Sequence, residues 1–132
     1  MRKILLNWLL KVGTYFKLQK TTLFLAVSII DRFISKREIK KTEYQKYGTA
    51  ALFIASKFQE IYPPRLRYFL HICDNNFNSR EFLEAEFQIL STLDFKVLYG
   101  NEKELIDCLG YIYGIGEGFL KMANKFALWC RI

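Results

Sequence analysis

The chain has 132 residues, 52% hydrophobic and 17% aromatic, with two prolines and seven glycines. This content excludes dominant disorder, and so few breakers exclude an all-β sandwich with its dense turns. The net charge is +7, but residues 1–41 hold ten Lys or Arg against Asp31 and Glu38, a net +8, while residues 42–132 hold ten against eleven, a net −1.

Positive charge gathered at one end favours anionic partners, whether acidic proteins, phosphates or nucleic acid. A chain of this length makes one domain, or one domain with a short appendage, and buries a core without a metal or disulfide staple. Its apolar period is helical throughout. Ile4, Leu5, Trp8, Leu9, Val12 and Phe16 form one stripe, which predicts a first helix over residues 2–16. The opening MRKILLNWLL has the basic start and apolar stretch of a secretion signal, but no small-residue cleavage site, and Lys11 interrupts it. After Lys17–Lys20, Thr21 or Thr22 is placed to cap a second helix running to about Ser35. That helix is apolar on nearly every face from Leu23 to Ile30, so other elements must surround it. The run is far short of the ~20 residues that span a bilayer. A soluble intracellular protein is the expectation, with no membrane partner.

The segment SKREIKK, residues 35–41, reads as a basic loop. Thr42 and Gln45 then have capping-box spacing at the start of a third helix over residues 43–59. Gly48, Ala50, Ala51, Ala55 and Ser56 let neighbours approach closely, as a central helix requires. Tyr62-Pro63-Pro64 stops it, because proline lacks an amide proton and restricts the residue before it. A short fourth helix fits residues 65–73, and Asn78 or Ser79 caps a fifth to about Leu93, with Phe82, Leu83, Phe87, Leu90 and Leu93 on its apolar side. One more helix near residues 102–113, a break at Gly114, Gly116 and Gly118, and a last helix over 119–131 complete an all-α chain.

No catalytic constellation emerges. There is one histidine, His71, and no C-x-x-C pair among Cys73, Cys108 and Cys130, which read as packing thiols. Gly114-Ile-Gly-Glu-Gly118 follows a helical pattern rather than a strand, so it reads as an interhelical connection and not a phosphate loop. Neither an enzyme, a metal nor a cofactor is expected. Two charges are out of place. Lys57 shares its stripe with Ile54, Phe58 and Ile61, and Glu86 shares its stripe with Leu83, Phe87 and Leu90. A charge on an apolar face needs a partner. Either these are a snorkelling lysine and a rim glutamate, or they pair beside an apolar patch that another protein covers. Arg2 and Asp31 border apolar runs in the same way.

Met1-Arg2-Lys3-Ile4-Leu5 followed by Trp8-Leu9, Leu25-Ala26-Val27 with Ile30-Asp31-Arg32-Phe33, the string Ala55-Ser56-Lys57-Phe58-Gln59-Glu60-Ile61-Tyr62-Pro63-Pro64, and Thr92-Leu93-Asp94-Phe95 together resemble the cyclin box of A/B-type (mitotic) cyclins. The resemblance covers residues 1–97 without a gap. It implies a five-helix bundle around a central third helix, plus about two extra C-terminal helices, and a non-catalytic activator of a cyclin-dependent serine/threonine kinase. It further implies that Lys57 and Glu86, with Ile54, Phe58 and Leu90, contact the kinase, and that Arg2 and Asp31 form a buried ion pair. A groove for docking motifs of substrates or inhibitors would involve Met1, Ile4, Leu5, Trp8, Lys11, Lys41, Tyr44 and Gln45.

Asn7 and Lys11 stand where A-type members of the family carry acids, so weaker docking of cationic motifs is expected. Residues 98–132 resemble only a truncated start of a second repeat or a helical appendage, so a fragment, a reduced cyclin and a non-activating kinase binder all stay open. A nucleic-acid-binding relative of the cyclin fold is a rival carried by the basic loop 36–41, but a nucleic-acid partner is disfavoured by the kinase-facing pair. The family implies the nucleus and cytoplasm, with Lys36-Arg37 and Lys40-Lys41 a weak import signal.

Overall fold

The computed structural model describes residues 1–98, 106 and 114–131. In chain order its helices are α1 (Arg2–Tyr15), α2 (Lys20–Lys36), a single 3-10 turn (Lys41–Glu43), α3 (Tyr44–Gln59), α4 (Leu66–Ile72), α5 (Ser79–Thr92) and α6 (Glu117–Arg131). No strand occurs among the described residues. The expected helix near 102–113 lies outside them, apart from helical Ile106.

α3 is the centre, because its residues are small where its neighbours are closest. Tyr47 through Ser56 is an unbroken buried run, and α1, α2, α4 and α5 all pack on it. Gly48 admits Leu5 of α1 so closely that a Cβ there would lie 2.5 Å from Leu5 Cδ1. Gly13 of α1 does the same for Leu23 of α2, at 2.3 Å from Cδ2. α2, apolar on nearly all sides, buries Thr22–Val27, Ile29, Ile30 and Phe33. Rings extend this core: Phe16 meets Phe69 at 4.9 Å, Phe69 meets Phe53 at 5.2 Å, and Phe53 meets Phe82 at 5.6 Å. Such pairs add ~0.5–1.5 kcal/mol beyond their area. Tyr47, stacked near Phe33, donates its hydroxyl to Gln88 Oε1 at 2.6 Å and so ties α3 to α5.

Two local expectations need correction. Neither Thr21 nor Thr22 caps α2; Gln19 is the N-cap, without a side-chain cap bond of its own. The cap comes instead from Glu60, whose Oε1 accepts from the Gln19 amide at 2.7 Å and from Thr22 Oγ1 at 2.6 Å. α3 therefore stops at Gln59, ahead of the prolines, with Glu60 extended so that its carboxylate reaches the N-terminus of α2. Thr42 and Gln45 form no capping box, because the chain enters α3 through the 3-10 turn and Glu43 Oε2 accepts from the Lys40 amide at 3.4 Å. The α5 cap does follow the sequence, with Asn78 as the capping residue, and the structure completes it as a box: Asn78 Oδ1 accepts from Glu81 N at 2.8 Å, and Glu81 Oε2 from Asn78 N at 3.0 Å.

The Glu60 link gives a first prediction. Glu60→Ala leaves the fully buried Thr22 hydroxyl and the Gln19 amide without their acceptor. It is expected to lower unfolding stability by about 1–2 kcal/mol, read by urea denaturation. A change below the scatter of wild-type repeats would remove Glu60 as the cap.

Arg32 fastens the other end of the bundle. Its guanidinium donates to the carbonyls of Lys96 at 2.7 Å and Val97 at 2.8 Å. Asp94 and Phe95 just before them have left-handed φ of 52° and 57°. A left-handed Phe is strained, so the backbone there is held by contacts such as Phe95 N to Leu90 O at 2.8 Å.

Candidate functional site

α3 and α5 lie side by side, and their contact brings Lys57 and Glu86 together. Lys57 Nζ donates to Glu86 Oε1 in a direct ion pair and sits 4.3 Å from the Phe53 ring centroid. The partners differ in solvent access: the Glu86 side chain is 11% exposed and that of Lys57 45%. A nearly dry carboxylate is thus paired with a lysine that still reaches water. The buried stripe of α5 is Phe82, Ala85, Glu86, Ile89 and, at the cap, Leu93. Leu83 and Phe87, expected on the apolar side, are exposed instead, and Leu90 is half-buried. The physical reason is phase: Glu86 turns inward to reach Lys57, so the residues on either side of its stripe turn out. On α3 and the turn after it, Ile54 is buried while Phe58, Ile61 and Tyr62 are exposed. An ion pair thus sits on helix turns that also present large apolar side chains to solvent.

Arg2 and Asp31 also meet, in a bidentate pair with Nε to Oδ1 and Nη2 to Oδ2 both 2.9 Å. The expected burial is corrected: their side chains are 43% and 37% exposed. Met1, Lys3 and Ile4 around Arg2 all face solvent, and no described element covers the pair. Hydrogen bonding to Asp31 raises the Arg2 pKa, against partial desolvation. An exposed pair of this kind contributes no more than about 1 kcal/mol.

A groove of about 370 Å³ runs between α1 and the entry to α3. Met1, Ile4, Leu5 and Trp8 line it from α1, and Lys41, Thr42, Tyr44 and Gln45 from the other side. Seven of the eight expected groove residues therefore converge. Lys11 does not line the cavity; it stands exposed one turn beyond Trp8 on α1. Thr42 was missed because its hydroxyl was assigned to a helix cap that the 3-10 turn makes unnecessary. Next to the groove, Glu43 is occupied. Desolvation opposes its charge, but the Lys40 amide and Lys46 together hold its carboxyl below the usual range.

The remaining reactive groups form no site among the described residues. Cys73 is fully buried, and desolvation raises its thiol pKa, partly offset by the Thr49 hydroxyl 3.4 Å away. Cys130 is exposed rather than packed, and Cys108 lies outside the described residues. Among the described residues no group of three His, Cys, Asp or Glu is gathered to hold a metal ion, and no helix is long and apolar enough to cross a membrane.

Residues 1–98 match the family model for the cyclin N-terminal domain. The chain is 46% identical over 101 residues to G2/mitotic-specific cyclin-B of Emericella nidulans, covering 76% of this chain and 21% of that protein. It is 47% identical over 95 residues to cyclin-A2 of Gallus gallus, covering 72% of this chain and 24% of that protein. Among solved structures it is similar to a viral cyclin from herpesvirus saimiri, with a TM-score of 0.80 and 27% identity over 96% of this chain and 56% of that one. The chain thus spans about a fifth to a quarter of the curated relatives it matches. The sequence match, the all-helical bundle around α3 and the structural likeness agree: the chain belongs to the cyclin family, and the relatives that carry the match are cyclins of the mitotic B and A types.

Proposed function

We propose that this cyclin domain is a regulatory subunit that binds a cyclin-dependent serine/threonine kinase through the face built on Lys57 and Glu86, and activates it to control cell-cycle progression. The observation that carries this reading is the ion pair itself. Glu86 is held nearly dry, yet its partner is half-exposed and flanked along α3 and its end by solvent-facing Phe58, Ile61 and Tyr62. A charged pair already ordered in the unbound domain presents a carboxylate and an ammonium to a partner without further ordering cost, and the apolar side chains supply area to bury. Ile54, buried on α3, and Leu90, half-buried on α5, belong to the same two helices.

Activation then needs no chemistry from this chain. A kinase whose active arrangement is a minor population is shifted toward it when the cyclin binds that arrangement better. The groove between α1 and α3 would hold docking segments of substrates or inhibitors beside the kinase. On the same proposal residues 98–132 are the truncated start of a second cyclin-like repeat, a reading supported by the likeness to the viral cyclin over 96% of the chain. Action in the nucleus and cytoplasm is part of the same proposal.

The test is peptide phosphorylation by a cyclin-dependent kinase of the same organism, with and without the full chain. The expected result is a rate increase of about tenfold or more, the scale of moving a minor active population to dominance. Co-purification without a rate increase would instead make the chain a kinase binder that does not activate. Absence of binding, with steeply salt-dependent binding to duplex DNA, would replace the kinase reading by a nucleic-acid one.

A further inference from the structure

The docking groove is apolar along its α1 wall, and its charged lining residue is a cation, Lys41. The ionised groups around it are unevenly satisfied. Asp31 is taken by Arg2 in two hydrogen bonds, and Glu43 by Lys46 at 3.4 Å and by the Lys40 amide. Lys3, Lys11, Lys40 and Lys41 are all exposed and have no ion pair among the described residues. Lys11 lies at i+7 from Ile4 and i+3 from Trp8, so it extends the groove-lining stripe of α1 by one turn. Nearby Glu38 is a lone acid between Lys36-Arg37 and Lys40-Lys41. An incoming segment therefore meets an apolar wall bordered by uncompensated positive charge at both the α1 and the 40–41 sides.

We propose that the groove selects short extended protein segments in which apolar anchors are flanked by aspartate or glutamate, and rejects segments with flanking arginine or lysine. This rests on the reading of the groove as a docking site and names the chemistry of its occupant. The apolar residues of the segment bury against Ile4, Leu5 and Trp8, and its carboxylates lie over Lys41 and Lys11. A cationic segment would leave its charge facing these lysines, with Asp31 and Glu43 already engaged and Glu38 outnumbered by the four cations that flank it in sequence.

The test is fluorescence anisotropy of labelled peptides on the full chain. Three peptides share a Leu-Gly-Leu centre and carry acidic, basic or Gly/Ser flanks; a fourth has acidic flanks around Ala-Gly-Ala. The acidic Leu peptide is expected to bind about fivefold or more tightly than the basic one at low salt, with the gap narrowing as salt rises. Lys41→Glu is expected to reverse that order. Ile4→Ala, at a side chain 70% exposed and outside the core, is expected to weaken every Leu peptide without disturbing the fold. Equal or tighter binding of the basic peptide, weakened by Ile4→Ala, would overturn the charge preference and leave the docking site standing. Equal binding of the acidic Ala peptide would reduce the effect to bulk attraction and also overturn the proposal. Insensitivity of every Leu peptide to Ile4→Ala would overturn the docking site itself, and the preference with it.

Discussion

Lys57→Ala is expected to cost more stability than Glu86→Ala, although both are expected to weaken the proposed kinase activation to a similar degree. The asymmetry follows from where water reaches. With Lys57 gone, the Glu86 carboxylate, 11% exposed in the wild-type chain, is left without its cation, and Phe53 loses the ammonium over its ring. Breaking a fully buried pair in this way costs about 3–5 kcal/mol; because Lys57 is half-exposed and water reaches its end of the pair, about 1–3 kcal/mol is expected. With Glu86 gone, Lys57 swings its ammonium into solvent, and about 1 kcal/mol is lost. Urea titrations of the two variants and the double variant check this. A greater loss for Glu86→Ala would contradict the burial on which the kinase face is built. Activation falls by about tenfold or more in each single variant, because a partner contact truncated at a hot spot loses at least 2 kcal/mol. The order of activities need not follow the order of stabilities, and that divergence separates a contact surface from a merely structural pair.

Gly48→Val is the second large effect. A Cβ at this position would sit 2.5 Å from Leu5 Cδ1 and 3.1 Å from its Cδ2, and Leu5 is buried against α3. The helix-propensity gain of replacing glycine is under ~1 kcal/mol, while overpacking costs about 1–3 kcal/mol, so steric crowding decides the sign. α1 must move off α3, and Leu5 is also a wall of the groove. The proposed peptide docking is therefore expected to be lost, while Lys57 and Glu86, at the far end of α3 and on α5, keep their pair and the proposed activation is expected to persist. Leu5→Ala in the same chain opens the space and restores part of the stability, a non-additivity that marks the contact itself. A variant as stable as wild type, with docking intact, would contradict the close approach of α1 and α3.

The helices were legible because their information is local and periodic. The apolar stripe of α1, the small residues of α3 and the Asn78 cap of α5 each belong to one helix, so local pattern alone located them. The Ala55–Pro64 string and the residues around it pointed to the family as well, through resemblance rather than through spacing. What the spacing could not carry is the contact between distant segments. Glu60 caps α2 across 41 residues, and Arg32 holds the carbonyls of Lys96 and Val97 from 64 and 65 residues away. Neither has a local sequence signal. The phase of α5 failed for a related reason: Leu83 and Phe87 look like core residues, but the inward turn of Glu86 toward Lys57 makes its own stripe the buried one. Likewise the burial expected for Arg2 and Asp31 depends on what covers them, which their own positions do not state.

The most direct test of the central claim is the affinity of the kinase for the Lys57→Ala, Glu86→Ala double variant compared with Ile4→Ala in the groove. If the kinase seats on the α3–α5 face, the double variant binds about tenfold or more weakly, and Ile4→Ala binds as wild type does. Unchanged affinity in the double variant, with loss in Ile4→Ala, would place the kinase on the groove and contradict the account.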